Sequence, residues 1–471
     1  MRQYSSIYFW SLCIITFSCS LFSEEPQEII VLNLETTLKR ALQYNREILS
    51  SLDAKERAEM DVSVAYSAFD LAIIPSGDLG YIGGGTAGQG LAYTAGVDLI
   101  KKLACGTRIS INPYYQKFNY KYHPNVNTVI TQPLLRGLGK RYTHAQTAAA
   151  KFALRSSLRS FQMAQSRLIL RAITSLYEIA KMEKNVLLYK ESYERIKKFH
   201  QASIVKERIG MGDPLDTYRA SIELTQAEDS LNSAKEQLQE KEDALRDLLA
   251  FSADTQFRVE VPIVHTPSPI KLDEAVETAL KHRLEIDQAE DQVAEDRRLS
   301  KIAKNRLLPE LNLVVNYSNI APDQVFTETW VKKRQSSYGF GFTTSSDVNS
   351  PGNKAAYEQS LTEIDSAIRD VEQTKATLTF EVRRALRNLE RALEKIELQQ
   401  KQIKMSEGEL RLAQIKFDRG MTNNFDMIQA EKSFRGSEMN CWQAVIDHMI
   451  GEYQLLATLG LLVEKQSIGD N

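Results

Sequence analysis

The chain has 471 residues, of which 43% are apolar and 25% are charged, so it is long enough for more than one ordinary domain and is not disordered by composition. Its net charge is −2, from 59 basic and 61 acidic residues. Because no positive surplus is available to neutralise a phosphate backbone, the composition excludes a typical nucleic-acid-binding protein.

The N-terminus predicts export. One positive charge in Met1–Tyr4 is followed by an apolar run from Ile7 to Phe22. This order is typical of a cleaved secretory signal, which we place at residues 1–23. Cys19 follows a small residue and is a candidate lipidation site. No later stretch reaches about 18 consecutive apolar residues, so any membrane span is predicted to be a closed barrel.

The sequence contains two related halves. Residues 34–42 (LETTLKRAL) align without a gap with residues 272–280 (LDEAVETAL), and the spacing Gly210, Asp216, Ala220 recurs as Gly420, Asp426, Ala430. Repeated order of this kind indicates an internal duplication. We predict a first structural repeat over 32–250, a linker over 251–269, a second repeat over 270–462 and a polar tail over 463–471.

Each half is predicted to contain an opening helix, over 34–68 and 272–308, and later a very long helix. In the second half, positions that are apolar except for Lys375 recur every seven residues, which predicts a left-handed supercoil. They are Ile368, Lys375, Val382, Leu389, Ile396, Ile403, Leu410 and Phe417. Helices over 142–207 and 353–417 would each span roughly 100 Å at 1.5 Å per residue. Their apolar seams must be covered by other helices.

Between the helices lie alternating segments that predict strands. Apolar residues such as Leu313 and Phe340 alternate with small or polar ones over 311–318 and 338–343, as in a lipid-facing barrel wall, although an ordinary sheet also fits. In the first half, strands are predicted near Leu79–Tyr81 and Thr128–Thr131. Residues 85–125 hold another candidate hairpin around Cys105, whose place in the fold the sequence leaves open.

Three features together resemble the TolC-like outer-membrane efflux proteins: the duplicated opening helix, the segment Gln132–Gly139 where a strand meets a helix, and Gly-(five residues)-Asp-(three residues)-Ala in both halves. The resemblance implies a mainly α fold with β, in which duplicated coiled-coil helices form an α-barrel. It also implies a homotrimer whose protomers each contribute four strands to one transmembrane β-barrel. Four strands are too few to close a barrel alone, so trimerisation would remove the open edges.

The function implied by the resemblance is that of an outer-membrane channel subunit in a tripartite efflux or type I secretion system. Such a subunit is a passive exit duct in the cell outer membrane with a periplasmic tunnel. Its implied partners are a periplasmic adaptor protein, an inner-membrane transporter and outer-membrane lipid. No enzyme, cofactor or metal site is predicted, because the six histidines are scattered and no phosphate-binding loop or nucleophile motif is present.

The resemblance also implies roles for the two turns that end the long helices. Gly210, Met211, Gly420 and Met421 would lie at adaptor-docking tips, although the glycines are equally well explained as helix caps. Asp426 would form a ring of three carboxylates at the pore constriction. The alternative is a carboxylate that merely complements the dipole at a helix N-terminus.

Two further expectations concern the gate and the second strand-to-helix connection. Asp216 is a candidate gate contact, with Arg208 or Arg419 as its cation. Gly352-Asn353 are predicted to absorb the turn into the second long helix.

Two other functional classes remain open at this stage. An exported coiled-coil structural or adhesin protein would have the same heptads without a pore. A periplasmic adaptor would also carry a helical hairpin, but only one, whereas this sequence offers two.

Overall fold

The computed structural model describes residues 30–82, 90–118, 121–210, 212–263, 270–320, 335–345, 350–419, 421–422 and 424–465. The predicted signal over 1–23 with Cys19 lies outside the described residues. So do Met211 and Gly420, residues 264–269 of the predicted linker, and residues 466–471 of the predicted tail.

Among the described residues, the first half begins with the short strand β1 (Ile30–Leu32) and contains five helices. The second half begins with the short strand β6 (Phe257–Val259) and contains four. The first five are α1 (Leu34–Tyr44), α2 (Arg46–Ser67), α3 (Lys140–Thr143), α4 (Ala145–Arg208) and α5 (Pro214–Leu248). The other four are α6 (Leu272–His282), α7 (Leu284–Arg306), α8 (Pro351–Asp418) and α9 (Asn424–Leu459). With 64 residues in α4 and 68 in α8, each spans about 100 Å. The prediction of two very long helices is therefore confirmed.

The two opening helices predicted from the sequence are each broken into two. The breaks fall at Asn45 and Arg283, equivalent positions of the duplication, and both residues have extended backbone angles. The Asn45 side chain accepts a hydrogen bond from the Glu47 amide at 2.9 Å and caps α2. Its amide group donates to the Leu248 carbonyl at 2.9 Å. The bend therefore brings the opening helices against the end of α5.

The buried core of the described residues runs along the helices and has four parts, of which the smallest contains Phe199, Ala220 and Phe417 and joins α4, α5 and α8. One lies within the first half and includes Leu168, Leu176 and Leu249, and a second lies within the second half around Val382 and Leu459. The third joins α4 to α9 and contains Ile173, Tyr177, Ile446 and Met449. The two halves are thus packed into one elongated body. None of the helices among the described residues is long and apolar enough to cross a membrane.

At one end of the helices lies a six-stranded antiparallel sheet, in the order β2-β3-β4-β5-β7-β8. Its strands are β2 (Ala72–Ile82), β3 (Gly90–Lys102), β4 (Arg108–Phe118), β5 (Lys121–Pro133), β7 (Glu310–Ile320) and β8 (Gln335–Ser345). The resemblance led us to expect four strands per protomer in the barrel sheet, whereas this sheet has six. The difference comes from the 85–125 segment, which supplies β3 and β4 in addition to the strands expected on either side.

The sheet has one mainly apolar face and one face of mainly polar and small residues. Residues directly opposite each other in an antiparallel pair project to the same side, so the register can be followed across all six strands. The apolar side carries Ile73, Leu79, Tyr81, Leu91, Tyr93, Val97, Leu99, Ile109, Ile111, Ile130, Leu313, Val315, Tyr317, Tyr338, Phe340 and Phe342. The other side carries Ser76, Asp78, Thr94, Asp98, Ser110, Asn112, Asn125, Asn127, Asn312, Asn316 and Ser318.

The predicted turn at Gly352-Asn353 is wrong. Helix α8 begins at Pro351, so both residues lie inside its first turn. Proline at the first helical position has the φ angle that a helix requires and lacks only an amide that would have no intrahelical partner. Gly352 and Asn353 therefore do not form the turn.

Candidate functional site

The end of the molecule opposite the sheet is formed by two turns, which we call the first tip (residues 206–216, between α4 and α5) and the second tip (residues 417–426, between α8 and α9). In the first tip, Gly210 has a φ of 74°, a left-handed conformation that favours glycine. The Asp213 side chain then accepts a hydrogen bond from the Leu215 amide at 2.9 Å, and Pro214 starts α5. These features explain why α4 ends and α5 begins here.

The second tip closes differently. The amide of Met421 donates to the Lys416 carbonyl at 2.8 Å, which satisfies a carbonyl in the last turn of α8. Helix α9 then begins at Asn424. Met421 is exposed, as are Leu215 and Tyr218 near the first tip. These side chains form an apolar surface at the end of the protomer, so the tips are suited to contact other chains.

Buried contacts hold the two tips together within one protomer. Asn424 is 3% exposed and donates from its amide group to the Asp216 carbonyl at 2.7 Å and to the Ser203 hydroxyl at 3.0 Å. Its position opposite α4 and α5 makes it a bridge between the repeats. Asn424 was not predicted from the sequence, because a polar residue at the first position of a helix is typical of an ordinary cap and no local pattern identifies its distant partners.

A cation and two aromatic rings complete the contact. The Lys206 ammonium lies 3.4 Å from the centre of the Phe417 ring and also donates to the Phe417 carbonyl. The ring of Phe199 lies 4.8 Å from that of Phe417, centre to centre. Burial lowers the pKa of Lys206, and the nearby Asp418 partly offsets this effect. The first tip is therefore anchored on the end of α8.

The candidate gate contact Asp216 has its carboxylate 3.7 Å from Arg219, one turn further along α5. Arg208 lies in the last turn of α4, and Arg419 follows the end of α8; both are exposed. Within the described part of the protomer, the cation beside Asp216 is thus Arg219, which was not predicted from the sequence. Roles for Arg208 and Arg419 stay predictions.

Asp426 lies in the first turn of α9 and is exposed. Its carboxylate accepts a hydrogen bond from the Thr422 hydroxyl. The position is compatible with both interpretations of this residue, because the helix dipole favours a carboxylate here and the side chain also faces away from the protomer core.

Further from the tips, α4 and α9 are joined by a buried ion pair. Glu431, whose side chain is almost fully buried, accepts hydrogen bonds from the Arg195 guanidinium at 2.9 and 3.0 Å. Burial and the nearby charge of Glu191 raise the pKa of the neighbouring Glu438, and Arg195 opposes that shift. No group of metal-ligating side chains occurs in the part of the chain described. The Arg195–Glu431 pair therefore joins α4 to α9.

Residues 275–461 match the family model described as outer membrane efflux protein. Over these residues the second half is similar to outer membrane efflux proteins. The resemblance expected from the sequence is therefore confirmed. No curated protein matches the sequence as a relative.

Solved structures extend the likeness to almost the whole chain. The outer membrane channel CmeC of Campylobacter jejuni matches with a TM-score of 0.72 at 14% identity, over 97% of this chain and 94% of that one. The outer membrane protein VceC of Vibrio cholerae matches with a TM-score of 0.71 at 13% identity, over 91% and 96%. The outer-membrane channel OprN matches with a TM-score of 0.71 at 16% identity, over 91% and 89%. The fold is thus that of the outer-membrane efflux channels, an α-barrel of long helices with a β-barrel.

Proposed function

We propose that the protein is the outer-membrane channel subunit of a tripartite efflux or type I secretion system. Three protomers form a passive exit duct whose β-barrel lies in the cell outer membrane and whose helices form the periplasmic tunnel. The observation that carries the proposal is a sheet with an apolar face and two open edges, continued by helices of about 100 Å.

The apolar face favours a lipid environment. Tyr338, Phe340 and Phe342 on β8 are 88%, 80% and 66% exposed, which is unusual for large side chains in water. The opposite face is polar, as in the wet interior of a membrane barrel. An exported coiled-coil protein without a pore would gain nothing from such a sheet, so this alternative is disfavoured.

Assembly with other copies follows from the same sheet. The edges β2 and β8 carry backbone groups that lipid cannot satisfy, so the sheet must close with other copies. In this assembly Asp426 would form the constriction ring. Asp216 with Arg208 or Arg419 of a neighbouring copy would contribute to the gate.

Single-channel recording tests the duct directly. Purified protein reconstituted in planar bilayers is expected to give discrete conductance steps, and protein extracted from outer membranes is expected to run as a trimer in mild detergent. A trimer that inserts without conductance would contradict the duct, whereas soluble rods recovered without lipid would support the coiled-coil alternative.

The tips are the proposed docking sites of the adaptor's helical hairpin. A photocrosslinker at Met421, or at position 211 of the first tip, is expected to capture the adaptor in intact membranes. The matched control is Asn440, an exposed residue further along α9. Capture of neighbouring protomers alone from both tips would remove the docking proposal.

A further inference from the structure

The hairpin formed by β3 and β4 lies in the middle of the sheet rather than at its edge. β2 pairs along its whole length with residues 90–100 of β3, and β4 pairs with β5 from Arg108 to Phe118. Removing the hairpin would separate β2 from β5 and split the sheet. The hairpin is therefore part of the wall.

The turn of this hairpin is fixed to the end of the sheet that meets the helices. The Cys105 carbonyl accepts a hydrogen bond from the Gly139 amide at 3.2 Å. Gly106 has a φ of 99°, and a side chain there would lie 3.0 Å from Pro133 and 3.1 Å from both the Gly137 carbonyl and the Thr143 hydroxyl. The turn thus packs on the connection between β5 and α4, as the turn of a wall hairpin should.

Both faces of the sheet continue without a break through the hairpin. On the apolar face, Leu99 and Ile111 lie in the row that continues through Thr128 to Tyr317 and Tyr338. On the polar face, Asn112 donates to the Asp98 carboxylate, and Ser110 donates to Asn112 at 2.8 Å. Two further hydrogen bonds cross to β5 and β7: Asn125 to Tyr114 at 2.6 Å and Ser318 to Asn125 at 3.3 Å.

The two edge strands of the sheet, β2 and β8, are compatible in length and in direction. β2 and β8 both have 11 residues. Because the six strands alternate in direction, β8 of one protomer is antiparallel to β2 of the next copy around a ring. An even number of strands per protomer is what antiparallel closure requires.

We infer that three protomers close an eighteen-stranded barrel, with β8 of each paired to β2 of its neighbour, rather than the twelve-stranded barrel that four strands each would form. The inference rests on the trimeric channel proposed above. Barrel diameter grows roughly linearly with strand number, and barrels of about 16 to 18 strands leave an aqueous channel. The membrane end would therefore be about one and a half times as wide as a twelve-stranded barrel, and solute size would be limited at the tips.

Site-directed spin labelling of the reconstituted trimer tests this inference. Single cysteines replace Val97 and Thr94 on the hairpin, and Val315 and Asn316 on β7 serve as the control pair, in a background with Cys105→Ser and Cys441→Ser. Collisions with oxygen report lipid, and collisions with a polar nickel chelate report water. We expect oxygen contact at positions 97 and 315 and nickel contact at positions 94 and 316.

The control pair separates the inference from the proposed function. If the β7 positions alternate while both hairpin positions contact nickel alone, the hairpin lies outside the wall and the eighteen-stranded barrel is wrong, although the channel stands. If the β7 positions do not alternate either, the membrane barrel itself is contradicted. Alternation at both pairs, with eighteen strands resolved in a cross-section by electron cryomicroscopy, would support the inference.

Discussion

The side-chain amide of Asn424 donates a hydrogen bond to the backbone carbonyl of Asp216, with 2.7 Å between nitrogen and oxygen. This contact joins the start of α9 to the start of α5, and therefore joins the two tips. The ion pair between Asp216 and Arg219 lies within α5 and does not join the tips; its atoms are 3.7 Å apart and the Arg219 side chain is half exposed.

Asn424→Ala is expected to loosen the closed end. The change leaves the buried Ser203 hydroxyl and the Asp216 carbonyl without this donor, at a cost of about 1–3 kcal/mol. Resting conductance in planar bilayers should rise above the wild-type level, whereas the exposed Asn440→Ala should not change it.

Arg208→Ala and Arg419→Ala test the gate pairs between protomers. If those variants open the channel and Asn424→Ala does not, the tips are held together between protomers and the role given to Asn424 is wrong.

Asp426→Ala is expected to weaken the preference for cations and the block by trivalent cations. Three Asp426 carboxylates around a narrow opening would form one negatively charged ring, which favours the passage of cations and binds trivalent cations. Asp216→Ala is the matched control, because Asp216 occupies the equivalent place in the first turn of α5. Equal effects of the two substitutions on reversal potentials, or no effect of Asp426→Ala, would leave only the helix-dipole explanation.

Gly106→Ala is expected to reduce the yield of assembled trimer in membranes. The left-handed φ and the three neighbouring atoms within 3.1 Å leave no room for a methyl group without movement of the backbone. Gly80→Ala is the matched control in the same sheet, because an added carbon there meets no atom within 4 Å. Equal yields of heat-stable trimer from the two variants, measured by gel mobility, would show that the hairpin turn is not anchored as described.

Asp291→Asn is expected to lower the thermal stability of the trimer at neutral pH. Although burial pushes the pKa of Asp291 up, hydrogen bonds from Arg155 and Arg159, each at 2.9 Å, outweigh it and lower the pKa. Arg159 is buried, so the loss of its carboxylate should cost roughly 1–3 kcal/mol. The control Asp287→Asn removes a more exposed pair with Lys465 and should have little effect.

The sign of the pH dependence follows from the lowered pKa. The stability contributed by Asp291 is fully present above the unfolded-state pKa of about 3.9 and is lost as the pH falls through the folded-state pKa. The difference in melting temperature between wild type and Asp291→Asn should therefore be constant near neutral pH and shrink in acid. A difference that grew as the pH fell would show that Asp291 does not act through its charge.

The long helices could be predicted from the sequence because a heptad pattern depends only on the spacing of residues within one helix. Val382, Leu389, Ile396 and Phe417 all lie in buried positions on α8, at the spacing that predicted it. The break at Asn45 was missed because the sequence around it reads as continuous helix. The bend is set by the distant Leu248 carbonyl, a partner that no local pattern identifies.

The strand count was missed for a related reason. Residues 90–118 form strands in which glycine, alanine and tyrosine occur among the apolar positions, so the apolar–polar alternation is weak. The place of these strands in the sheet depends on pairing with β2 and β5. At the tips, the sequence identified Gly210 and Asp216 through the duplication. It did not identify Asn424, whose partners lie more than 200 positions away.

An image of the purified particle by electron cryomicroscopy is the most direct test of the proposed duct. The expected particle is a hollow three-fold rod, with helices spanning about 100 Å and a detergent belt around a strand barrel at one end only. A solid coiled-coil rod, or a particle without a belt, would contradict the channel.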